Sequence, residues 1–422
     1  MTAWISDAEP TGPMITNAYS SILKTTTVGL SVVLCVLAIS VSSAEARRDA
    51  SGFMATLSSK NKQIFQDYLK ARTFHEAEAD AFWAKVEKKR KNRRAKKRKG
   101  KVLTERDYVA GYPPKYDGPY LPKSLAKAWR TYLNAGKKSG KKKRSEIPGL
   151  KAYLSAAKKH YDFVPERISE REFKKRYARE ALRLGMNADQ VVRVYALETS
   201  GLGTADMQAG IHPIRRTGRP ISSALGYAQL LAANSVNELQ KHGRTFLKRL
   251  EGLAKSPSIS DARRSRLKSK ISSLKRMIAR VNRVPKRWSA HQKFAKTGPG
   301  MGIHPINIDG DIGPWLQVIK LKGIHDIATR AGRPNIGPTE LELMNLAGPG
   351  TGLEMMTSVG LSMPTVNFFS RRGYERNTIV RDGTSKDLLR KLTKRMDVNV
   401  KNSGAKVFYE VFREAKQARG AN

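Results

Sequence analysis

Apolar residues recur every three or four positions along most of this chain, and the clearest case lies between Asn187 and Gly201. Val191, Val194 and Tyr195 share one face of a helix. Asn187 stands where an N-cap belongs, with Gln190 three residues on as its capping-box partner. Thr199, Ser200 and Gly201 close the helix, Gly201 being suited to a left-handed C-terminal cap. Similar spacing predicts helices over 53–87 (Phe65, Tyr68, Leu69), 124–134 (Leu125, Trp129, Leu133) and 170–184, the last after the Ser169-x-x-Glu172 box. A helix capped by Ser222 or Ser223 is expected to run through Gln229 to about Leu239. Residues 257–295 repeat Leu267, Ile271, Leu274, Ile278 and Val281 and read as an inserted helix, paired in a hairpin with a helix ending near Leu253. The stretch from Gly310 to Gly323 returns to the core with Trp315 and Leu316, and 338–356 forms a helix and turn. Beyond Ser358, Asn367–Phe369 and Thr378–Val380 read as short strands, followed by two amphipathic helices around Leu388–Met396 and Val407–Phe412. The fold class expected is mainly α.

Glu198 breaks the apolar stripe of the 187–199 helix. It lies three residues after Tyr195, four after Val194 and seven after Val191, so it falls on the buried face. A carboxylate there is costly unless it is paired or neutral. Desolvation raises its pKa, which suits a general acid working near neutral pH; pairing with an Arg or Lys is the alternative. The following loop, 201–220, carries Asp206, Gln208, Arg215, Arg216 and Arg219 and is a natural cleft wall. Asp206 is the nearest candidate for a second carboxylate. Gly-Ile-His-Pro-Ile occurs at 210–214 and again at 302–306, which reads as chance likeness between two loops. There is no His-Glu-x-x-His, no Gly-x-Ser-x-Gly and no phosphate-binding glycine loop.

Three segments in order carry a resemblance. They are Glu198-Thr199-Ser200-Gly201, Gly226-Tyr227-Ala228-Gln229, and Asn345-Leu346-Ala347-Gly348-Pro349-Gly350. Over roughly residues 166–355 the chain resembles the soluble lytic transglycosylase, goose-type lysozyme-like family. The third segment departs from the family's Tyr-Asn-Ala-Gly, with Met344 before Asn345 and Leu346 inserted before Ala-Gly. The resemblance implies a lysozyme-like helical catalytic domain in which Glu198 is the single catalytic acid and base. It implies substrate contacts from Ser200, Gly226, Tyr227, Gln229 and Asn345, with no metal and no cofactor. The reaction it implies is non-hydrolytic cleavage of the peptidoglycan glycan strand to a 1,6-anhydro product.

Charge decides what surrounds such a domain. The 422 residues carry a formal net charge of +44, which calls for a polyanionic partner or surface. Eleven of the fourteen residues 88–101 are basic, and Lys137–Arg144 is a second basic run. Both read as a solvated helix or a disordered arm. Between them Gly111–Pro122 interleaves Tyr112, Tyr116 and Tyr120 with prolines, an extended strap over the domain surface.

The N-terminus narrows the choice of polyanion. Lys24, the apolar run Val28–Val41 and the small residues up to Ala46 follow a signal-peptide plan. The only cysteine, Cys35, lies inside that run, so a mature chain has no disulfide or thiolate chemistry. The expected organisation is a signal peptide or N-terminal anchor over 1–46 and a basic, partly helical or disordered extension over 47–165. The catalytic domain follows over 166–356, with its helical insert at 257–295, and a small helical C-terminal element over 357–422. The expected setting is the periplasm or exported envelope of a bacterium, with peptidoglycan as partner, the basic arms on a wall or membrane surface, and no nucleic acid. A non-catalytic wall-binding protein on the same scaffold is the alternative. A nucleic-acid-binding protein ranks below both, because it leaves the leader and Glu198 without meaning.

Overall fold

A computed structural model describes residues 50–135 and 147–420; the leader and the second basic run, Lys137–Arg144, lie outside the described residues. The described chain is mainly helical, with isolated β-bridges and no β-strand among these residues. It divides into two compact units. The smaller comprises 50–89 and 112–135, the larger 90–111 and 147–420.

In the smaller unit the helix α1 (Ser59–Arg98, of which residues to Lys89 belong here) meets α2 (Lys123–Ala135). Phe65 is fully buried between Phe53 and Trp129, with Leu125 beneath. The proline-tyrosine strap lies on α1. Arg72 sits over the Tyr116 ring at 4.8 Å, His75 Nε2 is 3.1 Å from Pro114 O, and Tyr116 donates to Pro119 O. Tyr116 is thereby used in packing.

The larger unit is built on α3 (Leu150–Tyr161), α4 (Glu170–Arg183), α5 (Ala188–Thr199), α6 (Ala232–Lys255), α7 (Asp261–Asn282), α8 (Ile312–Arg330), α9 (Pro338–Ala347), α10 (Ser385–Asn399) and α11 (Ser403–Gly420). α6 and α7 form the expected hairpin, and α7 is part of the core. Leu267, Leu274, Met277 and Val281 of α7 join Phe246, Leu250, Ile306 and Leu316 in the main core. Its buried Lys270 reaches Asp309 at 2.9 Å and Asp311, and Arg263 bridges Glu166 and Asp311. Basic residues of the supposed insert therefore hold the core's carboxylates.

Three expectations change. The helix expected from Ser222 begins only at Ala232, because 221–231 forms a bridged turn. Ser223 Oγ still accepts from a first-turn N–H, that of Ala232, but across nine residues. The strands expected at 367–369 and 378–380 are absent. Thr365–Asn367 and Thr378–Val380 are single 3₁₀ turns, the second tightened by Asn377, whose side chain accepts from Ile379 N. The C-terminal segment is not a separate element, since α11 packs along α4 and α5, and α10 along α5 and α9. Phe408 of α11 is fully buried among Tyr177, Tyr195 and Tyr227.

The basic run at 88–101 also departs from a free arm. It continues α1 to Arg98, and Arg93 is buried. Its guanidinium donates to Glu354 at 2.8 Å and to Asn367 O at 2.6 Å, while Lys96 pairs with Asp107 and Lys97 with Glu354. A buried arginine whose three guanidinium nitrogens each donate within the fold is structural. Lys91, Arg98, Lys99 and Lys101 remain exposed. No described helix is long and apolar enough to cross a membrane.

Candidate active site

The Asn187 capping box forms as expected: Asn187 Oδ1 accepts from Gln190 N at 2.9 Å, and Gln190 Oε1 from Asn187 N at 3.1 Å. α5 then buries Val191, Val194 and Tyr195 and brings Glu198 onto the same face near its C-terminal end. Ser200 and Gly201 follow with φ of 55° and 65°. Both are left-handed, a conformation glycine tolerates and serine adopts only under constraint. The constraint comes from the far end of the chain. Asn399 Nδ2 donates to Ala196 O at 3.0 Å, Asn402 Nδ2 to Ser200 O at 2.8 Å, and Ala405 N to Gly201 O at 3.1 Å. Carbonyls that a helix end leaves unmet are thus filled by the C-terminal helices. A Cβ at Gly201 would run into Asn399 O.

Glu198 retains some solvent access, and no Arg or Lys pairs with it among the described residues. Its neighbours come from α9. Asn345 Nδ2 lies 3.5 Å from Glu198 Oε1 and 3.3 Å from Glu342 Oε2. Glu342 is fully buried and within hydrogen-bond reach of Glu198. Its Oε1 has no donor among the described residues unless a proton sits between the two carboxyls. Burial, and then the Glu342 carboxyl beside it, push Glu198 well above the usual carboxylate range. Burial pushes Glu342 up to about 8, against the opposing pull of Asn345, Glu198 and Lys320. Two like charges this close in a dry site do not both form readily. The carbonyl end of α5 disfavours a second negative charge in the same direction.

The second carboxyl is therefore Glu342 and not Asp206. Asp206 pairs with Arg167 and Arg216, both at 2.9 Å, and these partners outweigh its burial and hold it down to about 2. Sequence reasoning passed over Glu342, although a signal was there. It is a carboxylate inside the apolar run Leu341–Leu346 and stands three residues before Asn345, on the same helix face.

The Gly226–Gln229 turn meets α5 one turn before Glu198, where the Tyr227 and Tyr195 rings lie 5.0 Å apart. Gly226 has φ of 81°, and a Cβ there would come within 2.6 Å of Gln317 Nε2. Tyr227, expected among the substrate contacts, is 1% exposed, and its hydroxyl donates to Glu170 Oε2 at 2.5 Å. Its ring fills the wall and offers no face to a ligand. Gln229 spends its amide within the wall, donating to Gly226 O of its own turn at 2.7 Å and to Met207 O of the preceding loop at 3.2 Å. Of the six residues expected at the site, the structure joins Asn345 directly to Glu198 and sets Ser200 two residues beyond it. Gly226, Tyr227 and Gln229 shape the adjoining wall.

The two histidines of the repeated pentapeptide differ. His212 Nδ1 accepts from Ile214 N and Arg215 N, whereas His304 is buried beside Ser235 and Asn307, and burial pushes it down to about 4. No group of three or more His, Cys, Asp or Glu among the described residues is placed to hold a metal ion.

The site as built offers one accessible acid, a buried acid behind it and an amide bridging the two. No family model matches this chain, and neither a curated protein nor a solved structure shows detectable similarity to it.

Proposed function

We propose that this chain is an envelope enzyme that cleaves the glycan strand of peptidoglycan without water, with Glu198 as acid and then base. The observation that carries the reading is a solvent-reachable carboxyl, raised by burial and by a second carboxyl, with no Arg or Lys paired to it among the described residues. A glutamate kept for structure takes an Arg or Lys partner, and this chain has 80 of them. The order of the three motifs supports the same reading.

In the reaction Glu198 gives its proton to the leaving glycosidic oxygen as the C1–O bond breaks. The resulting carboxylate takes the proton of the sugar's own 6-hydroxyl, whose oxygen bonds to C1. The 1,6-anhydro ring closes and Glu198 is protonated again. Ion-pairing of Asp206 favours this over hydrolysis by two free carboxylates, since the remaining carboxyl, Glu342, lies against Glu198 and not across a substrate from it. The positive surface suits a substrate whose peptide stems carry carboxylates.

The test is Glu198→Gln, with product and melting temperature measured together. Wild-type protein should release anhydro-muropeptides from purified sacculi, read by mass. The variant should lose about a hundred- to ten-thousandfold in rate while melting at or slightly above the wild-type temperature. An active, destabilised variant would overturn the reading. A wild-type protein that binds sacculi and releases nothing would leave a wall-binding scaffold.

A further inference from the structure

Glu342 is a carboxyl that the reaction as written does not use. It is fully buried, one of its oxygens has no donor, and it faces Glu198 across the Asn345 amide. Burying an acid with no ion pair among the described residues is costly, so its place beside an accessible acid calls for a reason. Its helix could have carried leucine there, as it does at 341, 343 and 346.

We infer that Glu342 is the proton partner of Glu198: the two carboxyls titrate as one unit, and the buried member holds the proton on the accessible one. The inference rests on the reading of Glu198 as the acid. Glu342 touches no reacting atom and is a positioning residue.

The groups facing the pair come from three helices. α5 supplies Glu198, α9 supplies Glu342 itself and Asn345, and α8 supplies Lys320. Lys320 is held below its usual range by burial, with Glu238 and Glu342 raising it and Lys241 of α6 lowering it. On another part of α9, Thr339 meets Thr393 and Met396 of α10. Burial raises Glu342, but Asn345, the Glu198 carboxyl and, least, Lys320 favour its charged form, so Glu342 gives up its proton first. Once charged, it makes ionisation of Glu198 harder. Asn345 Nδ2 donates toward both carboxyls and fixes their spacing. The sign is then set. Without the Glu342 carboxylate, Glu198 loses its proton at lower pH, and the alkaline limb of activity moves toward neutrality.

The experiment is a carboxyl titration of the full chain labelled with ¹³Cδ-glutamate, using Glu198→Gln to assign the signals, with the sacculus assay run in parallel. In Glu342→Gln the Glu198 midpoint should fall by at least about one pH unit, and kcat should lose its alkaline range by the same shift while KM holds. Glu342→Asp, which keeps the charge, should restore part of the shift. Coupling is reciprocal, so in Glu198→Gln, where the Glu198 hydroxyl no longer favours the charged form of Glu342, the Glu342 signal should titrate in one step and at higher pH than in wild type. That reading serves even if Glu342→Gln does not fold. An unmoved Glu198 midpoint, or a Glu342 signal indifferent to Glu198→Gln, overturns the pairing. Absence of anhydro product from wild type overturns the proposed reaction instead, and the titration still decides the pairing.

Discussion

Gln229 donates its side-chain amide to Gly226 O of its own turn and to Met207 O of the preceding loop, and its own φ is 44°. From sequence it reads as a sugar ligand; in the fold it ties a left-handed turn against Met207. Gln229→Ala removes both bonds and should cost about 1–2 kcal/mol of stability, read by urea denaturation. It should also raise KM, because the wall beside Tyr195 loosens. A wild-type urea midpoint together with a wild-type KM would remove it from either role. Glu198 itself was legible, because three local spacings put it on an apolar stripe. Its partner was harder to find. The contact with α9 closes over 147 residues, and no local pattern says which carboxylate arrives.

α5 was the most legible element, since its N-cap, capping box and stripe are all local. Its C-terminal end was not, because Ser200 and Gly201 are satisfied by Asn399, Asn402 and Ala405. Asn402→Ala is expected to destabilise the chain by about 1 kcal/mol, from a half-buried carbonyl that loses its donor. It should also reduce activity, as the last turn bearing Glu198 frays; hydrogen exchange at residues 195–201 reads the fraying directly. Protection unchanged from wild type would show that the C-terminal helices are bystanders there. Thr378–Val380 was misread for a different reason. A β-branched run looks like a strand, but Asn377 offers its backbone a tight turn and no neighbouring strand competes.

The chain carries a formal net charge of +44, and a few of its cations lie inside the fold. Arg93 and Lys270 are buried in ion pairs, so the count of basic residues overstates the charge free to meet a polyanion. That free charge includes Lys91, Arg98, Lys99 and Lys101. Changing these four to glutamine should weaken sacculus sedimentation and flatten its dependence on salt, with the melting temperature held. Exposed charges act within a Debye length of about 8 Å at physiological ionic strength. Binding unaltered from low to high salt would count against the surface. Deleting the whole 88–101 run is the wrong test, because it takes Arg93 with it.

The bond from Asn402 to Ser200 spans 202 residues, and it has a temporal side. A ribosome makes the Glu198 helix about half a chain before it makes the residues that finish it. Until Asn399 and Asn402 arrive, the carbonyls of Ala196 and Ser200 face solvent and the Ser200 backbone lacks what holds it left-handed. In this fold the acid cannot be set until nearly the last helix has been delivered.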